Sequence, residues 1–199
     1  MNKILMSLLM IIMVATVATG ATNAYLSDTE TSTGNTFAAG SLDLNVDGGN
    51  TNVVKFNVSN LRPGNQPIGT WRLNNVGTLN GYLNLKNIAL TNAGGAFTDP
   101  EAEAGDPENA GNLGTLLDVQ LFVDTDGNGW VGTGEPVLYS GPFGGLADHY
   151  NQNLLIPAGG ANYVTLQVNW HSHAGTLDNK GQGDTATLDM TFELDQSPI

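Results

Sequence analysis

The sequence predicts an all-β protein, an antiparallel jelly-roll-like β-sandwich that follows an N-terminal signal peptide. Three observations lead to this prediction. Apolar and polar residues alternate with a period of two in several separate segments, as they do in strands with one buried face. Turn-forming residues separate these segments, and the 199 residues include 26 glycines. Charged residues make up only 13% of the chain, and no window shows a helical pattern of apolar positions.

The first 24 residues have the layout of a secretory signal peptide. One lysine precedes an apolar run from Ile4 to Ala15, and small residues follow it. The run is shorter than the roughly 20 residues that a membrane-spanning helix needs. We therefore predict cleavage after Ala24, so that Tyr25 begins a mature chain without a membrane span. A retained N-terminal anchor is the alternative.

Charge and composition limit the possible partners and sites. Six Lys and Arg residues against 19 Asp and Glu residues give a net charge of -13. This balance argues against nucleic acid and against anionic membrane surfaces, which are bound by basic residues. The absence of cysteine excludes disulfides, thiolate metal sites and a cysteine nucleophile. We expect a secreted acidic protein, extracellular or at the cell surface.

Six alternating segments predict individual strands. Their apolar positions are Leu42, Leu44 and Val46; Val54, Phe56 and Val58; Leu79, Leu83 and Leu85; Leu117, Val119, Leu121 and Val123; Val164, Leu166, Val168 and Trp170; and Ala186, Leu188, Met190, Phe192 and Leu194. With the strand-like segments around them the total is about eight strands, which favours an antiparallel sandwich or jelly roll. Residues 91–112 are rich in acidic residues, Pro and Gly, and they predict a mobile, solvated surface loop. Its carboxylates could hold a cation, but a solvated loop is the favoured interpretation.

One motif predicts a specific site. Residues 124–135, DTDGNGWVGTGE, match the calcium-loop pattern D-x-[DN]-x-[DN]-G-x5-E at every specified position. Calcium takes about six to eight oxygen ligands, and this spacing wraps such ligands around one point. The predicted ligands of the calcium ion (Ca²⁺) are the side chains of Asp124, Asp126, Asn128 and Glu135 and the backbone carbonyl of Trp130.

The segments that flank this motif are strand-like, unlike the helices of an EF-hand. The motif therefore predicts a structural ion that clamps a strand–loop–strand, and not a sensor that opens a helix pair. The alternative is a glycine-rich hairpin tip without an ion. That alternative leaves the position of Glu135 unexplained.

Other candidate sites are weaker. His171 and His173 are two residues apart and would share one face of a strand, and with His149 they could hold zinc. Surface histidines are the favoured interpretation. No H-E-x-x-H or G-x-S-x-G motif is present. Asn57 begins an Asn-Val-Ser glycosylation sequon.

Three separate blocks carry a family pattern. Residues 24–44, AYLSDTETSTGNTFAAGSLDL, contain a "TFxxGxLDL" motif; residues 56–86 contain an "NLxPG" turn followed by a strand, a turn and another strand; and residues 179–196 contain a closing "QGD" strand. Together, and in this order, they resemble the TasA/camelysin family of secreted filament and biofilm-matrix proteins, to which archaeal bundling pilins are related.

The resemblance implies a mode of assembly. Family members are jelly-roll-like sandwiches that form extracellular fibres by donor-strand complementation. Here residues 25–36 would be the donor-strand segment, and residues 37–199 would form the sandwich. The stretch from Tyr25 to Asn35 has no proline, so it can pair with an open sheet edge of the neighbouring subunit. Head-to-tail pairing does not close, so the product is a homopolymeric filament.

We therefore expect a structural subunit of an extracellular filament or pilus, stabilised by a calcium loop. One alternative is a monomeric secreted calcium-binding adhesion module. Another is a camelysin-like secreted metalloprotease, because some family members carry the label of metallo-endopeptidase. No protease site is recognisable in the sequence, so we expect that the chain is not an enzyme.

Overall fold

The computed structural model describes residues 39–50, 53, 60–106 and 111–199 and, near the N-terminus, residues 3, 6, 7 and 9–12. The chain divides into two compact units, Met1–Ala38 and Ala39–Ile199. The described residues of the first unit are helical. Within the described residues, no helix is both long enough and apolar enough to span a membrane.

Several sequence predictions lie outside the described residues. They are the cleavage after Ala24, the donor-strand segment from Tyr25 to Asn35, the strand that carries Val54, Phe56 and Val58, and the sequon at Asn57. These stay predictions.

The described part of the second unit contains eight β-strands in two antiparallel sheets. The strand order is β1-β2-β7-β4-β5 in the five-stranded sheet and β6-β3-β8 in the three-stranded sheet. The strands are β1 (Leu44–Val46), β2 (Ile68–Asn75), β3 (Gly81–Ala93), β4 (Asp118–Val123), β5 (Val137–Pro142), β6 (Tyr150–Ile156), β7 (Ala161–Asn169) and β8 (Thr185–Asp195). Two short helices, α1 (Asp99–Glu103) and α2 (Leu113–Leu116), lie between β3 and β4.

Both sheets contribute side chains to one hydrophobic core. In β7 the alternating residues Val164, Leu166 and Val168 are buried, as expected for a strand with one inward face. The ring of Trp71 on β2 and that of Phe192 on β8 have centroids 5.7 Å apart. This aromatic contact connects the two sheets across the core.

The prediction of a mostly β protein with antiparallel sheets is confirmed. The alternation of apolar and polar residues did not predict strands β2 and β6. In β2 the inward positions include Gly69 and Asn75 as well as large apolar residues, so the pattern is interrupted. Asn75 is fully buried, and its side-chain amide donates to the carbonyls of Ile156 and Leu79 at 3.0 and 2.8 Å. A satisfied amide can therefore occupy an inward position.

The predicted solvated loop at residues 91–112 is wrong in part: residues 94–98 are irregular and Asp99 and Glu103 are exposed, but other described residues of the segment are ordered and buried. Strand β3 extends to Ala93, α1 follows, and the carboxylates of Glu101 and Asp106 are 0% and 6% exposed. Each accepts a local hydrogen bond: Glu101 Oε2 from the Thr98 backbone N–H and Asp106 Oδ2 from the Asn112 side chain, both at 2.6 Å. One oxygen of each buried carboxylate therefore satisfies a local donor, while Oε1 of Glu101 is buried without a hydrogen-bond partner.

Candidate metal centre

The calcium-type motif forms the connection between β4 and β5. The backbone N–H of Val123 donates to Pro136 at 2.9 Å, which closes the base of the loop. The next residue, Asp124, donates its N–H to the carbonyl of Tyr163 on β7 at 3.0 Å. These two hydrogen bonds therefore fix both ends of the loop to the five-stranded sheet.

Asp124 is the buried anchor of the loop. Its side chain is 0% exposed. Oδ1 accepts from the N–H of Asn128 at 3.1 Å, and Oδ2 accepts from the N–H of Gly129 at 2.8 Å. Oδ2 also accepts from the hydroxyl of Thr165 on β7 at 2.8 Å. The carboxylate is thus oriented by the loop from one side and by the sheet from the other.

The middle of the loop turns tightly around Asn128. Its N–H and its side-chain amide donate to the two oxygens of Asp126 at 3.1 and 2.6 Å. Its own Oδ1 accepts from the N–H of Trp130 at 2.7 Å. Gly127 and Gly129 have φ angles of 69° and 84°, a left-handed conformation that glycine adopts without strain. The two glycines therefore allow the turn that the motif requires.

Glu135 closes the loop from its far end. Oε1 accepts from the N–H and the hydroxyl of Thr125 at 2.6 and 2.9 Å, and Oε2 accepts from the N–H of Gly132 at 2.7 Å. The bond from Gly132, followed by those from Thr125, holds the pKa of Glu135 below its usual range, against desolvation and the negative charge of Asp124. The carboxylate is therefore ionised near neutral pH, as a metal ligand must be.

The structure brings together three of the predicted ligands. Asp124, Asp126 and Glu135 each offer a carboxylate oxygen, and these oxygens lie within 4.8 Å of one another. Three negative charges at this spacing repel one another unless a cation lies between them. The predicted side-chain ligand Asn128 lies in the same turn, but its Oδ1 accepts a hydrogen bond from the backbone N–H of Trp130. Trp130, predicted to contribute its backbone carbonyl, is 58% exposed.

Two residues outside the motif also contact the loop. The loop contacts the outer face of the sheet through Thr165, and Gln167 donates from Nε2 to the carbonyl of Gly129 at 2.6 Å. In the sequence both lie in the polar phase of the β7 alternation, which placed them on the outer face. Nothing in that pattern indicates that a loop about 40 residues earlier folds over them.

Each of the three histidines lies beside a different aspartate. Nδ1 of His149 lies 2.6 Å from Asp148, Nε2 of His171 lies 3.7 Å from Asp118, and Nδ1 of His173 lies 2.7 Å from Asp178. Among the residues that the structure describes, no group that could hold a metal includes a histidine.

Asp178 connects two elements at this end of the sheet. Oδ1 accepts from Nε1 of Trp170 at 2.8 Å and lies 2.7 Å from Nδ1 of His173. Burial raises the pKa of Asp178, but the hydrogen bonds from His173 and Trp170 lower it more, so that it lies below its usual range. The arrangement is a structural clamp between the end of β7 and the following turn.

The model of the camelysin metallo-endopeptidase family matches residues 1–133 of the 199-residue chain. The chain belongs to this family. The TasA/camelysin resemblance is thereby confirmed, and the matched range includes the first two of its three blocks. A comparison with curated proteins gives no match.

Membership of the camelysin family corrects one expectation. The chain was expected not to be an enzyme, and the family description, a metallo-endopeptidase, contradicts this. That expectation rested on the absence of sequence motifs such as H-E-x-x-H. A metal site assembled from residues far apart in sequence leaves no such motif, so the absence of a motif does not exclude an enzyme.

The family description also implies a metal ion, and the acidic group at the loop could bind one. The candidate ligands in this group are carboxylate oxygens, which suit a hard cation such as calcium. Catalytic zinc in peptidases is held by imidazole together with carboxylate. The family match ends at residue 133, so Glu135 lies beyond the matched range.

Proposed function

We propose that this camelysin-family chain is a secreted structural subunit of an extracellular filament, with a jelly-roll-like sandwich that accepts a strand from its neighbour. One observation carries the proposal. An open groove of about 1740 Å³ lies between the two sheets. Its lining includes Leu44 and Val46 of β1, Trp71 of β2, and Leu188, Met190 and Phe192 of β8.

The apolar side chains of β8 that line this groove are only partly covered. Leu188, Met190 and Phe192 lie on the apolar phase of β8 and pack against the core cluster, yet each is only half-buried. Within the described strands, β8 pairs with β3 alone. A half-covered apolar strand, one edge of which has no partner among the described strands, is a surface that an added strand can complete.

The segment from Tyr25 to Asn35 suits this groove as the donor strand. It contains 11 residues, counted from 25 to 35, and β8 also contains 11 residues. The donor could therefore pair along the whole edge of β8. Its first residues, Tyr25 and Leu26, are apolar and can cover the half-buried side chains of the groove.

Electron microscopy tests the proposal directly. Purified mature chain, beginning at Tyr25, is expected to form fibres in negative stain, because each subunit carries both a donor segment and a groove. Dispersed particles under conditions that preserve the fold would contradict the proposal. They would favour the monomeric calcium-binding adhesion module instead.

We propose further that the loop at residues 124–135 binds calcium and holds β4 and β5 together. Added calcium is expected to raise the melting temperature of the mature chain, because the ion binds the folded loop and not the unfolded chain. Glu135→Gln is expected to weaken binding by at least about tenfold, because a charged ligand is lost. Calorimetric titration and thermal melting measure both effects.

The matched control for this experiment is Glu103→Gln, which removes the same charge from an exposed position on α1. It is expected to leave calcium affinity unchanged. A wild-type chain whose melting temperature does not respond to calcium would refute the calcium site.

The family description favours a second candidate function, metal-dependent peptidase activity. The acidic group at the loop is the metal-binding candidate among the described residues. A casein digest by the purified mature chain, with and without chelator, tests it. Cleavage that the chelator abolishes would support this function, and no cleavage in either sample would count against it.

A further inference from the structure

A buried threonine on the sheet contacts the first ligand of the loop. Thr165 lies on β7, directly opposite Thr70 of β2 and Phe122 of β4 in the strand register. It is 0% exposed although it lies on the outer face of the five-stranded sheet. Its hydroxyl is 2.8 Å from Asp124 Oδ2 and 2.7 Å from the hydroxyl of Thr70.

The direction of these two hydrogen bonds follows from the groups involved. An ionised carboxylate only accepts, so the Thr165 hydroxyl donates its single proton to Asp124. The oxygen of Thr165 must then accept from Thr70, whose hydroxyl is the donor. The result is a directed chain from Thr70 through Thr165 to Asp124, in which each bond strengthens the next.

Thr165 differs from the other partners of Asp124. The remaining hydrogen bonds to this carboxylate come from the backbone of Asn128 and Gly129, which belong to the loop itself. Thr165 is the partner that belongs to the sheet. It therefore connects the carboxylate directly to the five-stranded sheet, whereas the backbone donors belong to the loop.

We propose that Thr165, supported by Thr70, is the positioning residue of the metal site: it holds Asp124 in the orientation that calcium requires. This inference rests on the proposed calcium function of the loop. Residues that orient metal ligands typically contribute about 10- to 100-fold in affinity. Thr165→Val, which keeps the shape and removes the hydroxyl, is expected to raise the calcium Kd by about tenfold or more.

Two further variants separate positioning from simple packing. Thr165→Ser keeps the hydroxyl and is expected to retain nearly wild-type calcium affinity. Thr70→Val removes only the outer donor and is expected to weaken binding by a smaller factor. Thr187→Val, at an exposed position on β8, is the matched control and should leave the Kd unchanged.

The experiment measures the calcium Kd of each mature chain by calorimetry and by terbium luminescence, and the melting temperature in the presence of chelator. A Kd that rises in Thr165→Val and is restored in Thr165→Ser supports the inference. Wild-type calcium binding with an unchanged Kd in Thr165→Val would overturn the inference and leave the calcium function standing. A wild-type chain that binds no calcium would overturn both.

A loss of stability alone can be distinguished from the expected rise in the calcium Kd. A purely structural role for Thr165 would lower the melting temperature in chelator and leave the Kd of the folded protein unchanged, and that outcome would overturn the inference. If Thr165→Val fails to fold, Thr70→Val decides the question. An unchanged Kd in Thr70→Val would then overturn the directed chain.

Discussion

A mature chain that begins at Thr36, without the 11 residues from Tyr25 to Asn35, is expected to fold and to form no fibres. The eight described strands and their shared core lie beyond the deletion, so the fold retains its own apolar faces. The groove loses the donor that a neighbour would supply. Negative-stain microscopy and sedimentation should show dispersed subunits where the full mature chain gives fibres.

A synthetic peptide of the deleted segment provides the complementary result. It is expected to bind the truncated chain and raise its melting temperature, because a ligand that binds only the folded state stabilises it by mass action, by about 2.7 kcal/mol at a hundred times its Kd. A peptide of the same composition in scrambled order is the control. Fibres formed by the truncated chain as efficiently as by the full mature chain would show that another surface holds the filament.

Phe122→Ala is expected to cost about 3–5 kcal/mol of the free energy of unfolding. Phe122 is 0% exposed and lies opposite Thr165 in the β4–β7 register, so it occupies the outer face of the five-stranded sheet. Removal of the buried ring leaves a cavity that the surrounding side chains fill only in part. Denaturant unfolding of the mature chain measures the loss.

Phe97→Ala is the matched control, since the side chain of Phe97 is 48% exposed. It is expected to change the free energy of unfolding by no more than about 0.5 kcal/mol. A loss below about 1 kcal/mol in Phe122→Ala would mean that the ring is not closely packed on this face of the sheet.

The sequence was most informative where the structure is local. Strands such as β4 and β7 alternate because one face packs into the core, and a period of two is visible without knowledge of the partner strand. The same holds for Asp124, Asp126 and Glu135, which lie within one 12-residue motif. Their convergence depends on the turn geometry of the loop, so spacing alone predicted it.

The features that the sequence did not reveal depend on distant partners. Thr165 follows Asp124 by 41 residues, and only the strand order of the sheet places its hydroxyl beside the carboxylate. The burial of Glu101 was missed for a related reason. Acidic residues in a glycine-rich stretch predict solvent exposure, whereas here the carboxylate accepts from a backbone N–H that also had to be satisfied.

The position of β8 has a mechanical consequence. It pairs with β3 along nearly its whole length, its residues 185–192 line the groove, and its other edge has no partner among the described strands. With a neighbour's strand in that groove, β8 would become an interior strand, bonded on both sides. Tension along such a polymer would pull adjacent strands past one another, so the hydrogen bonds on each side of β8 would resist together instead of opening one after another. A fibre of this kind would withstand stretching far better than the non-covalent nature of its joints suggests.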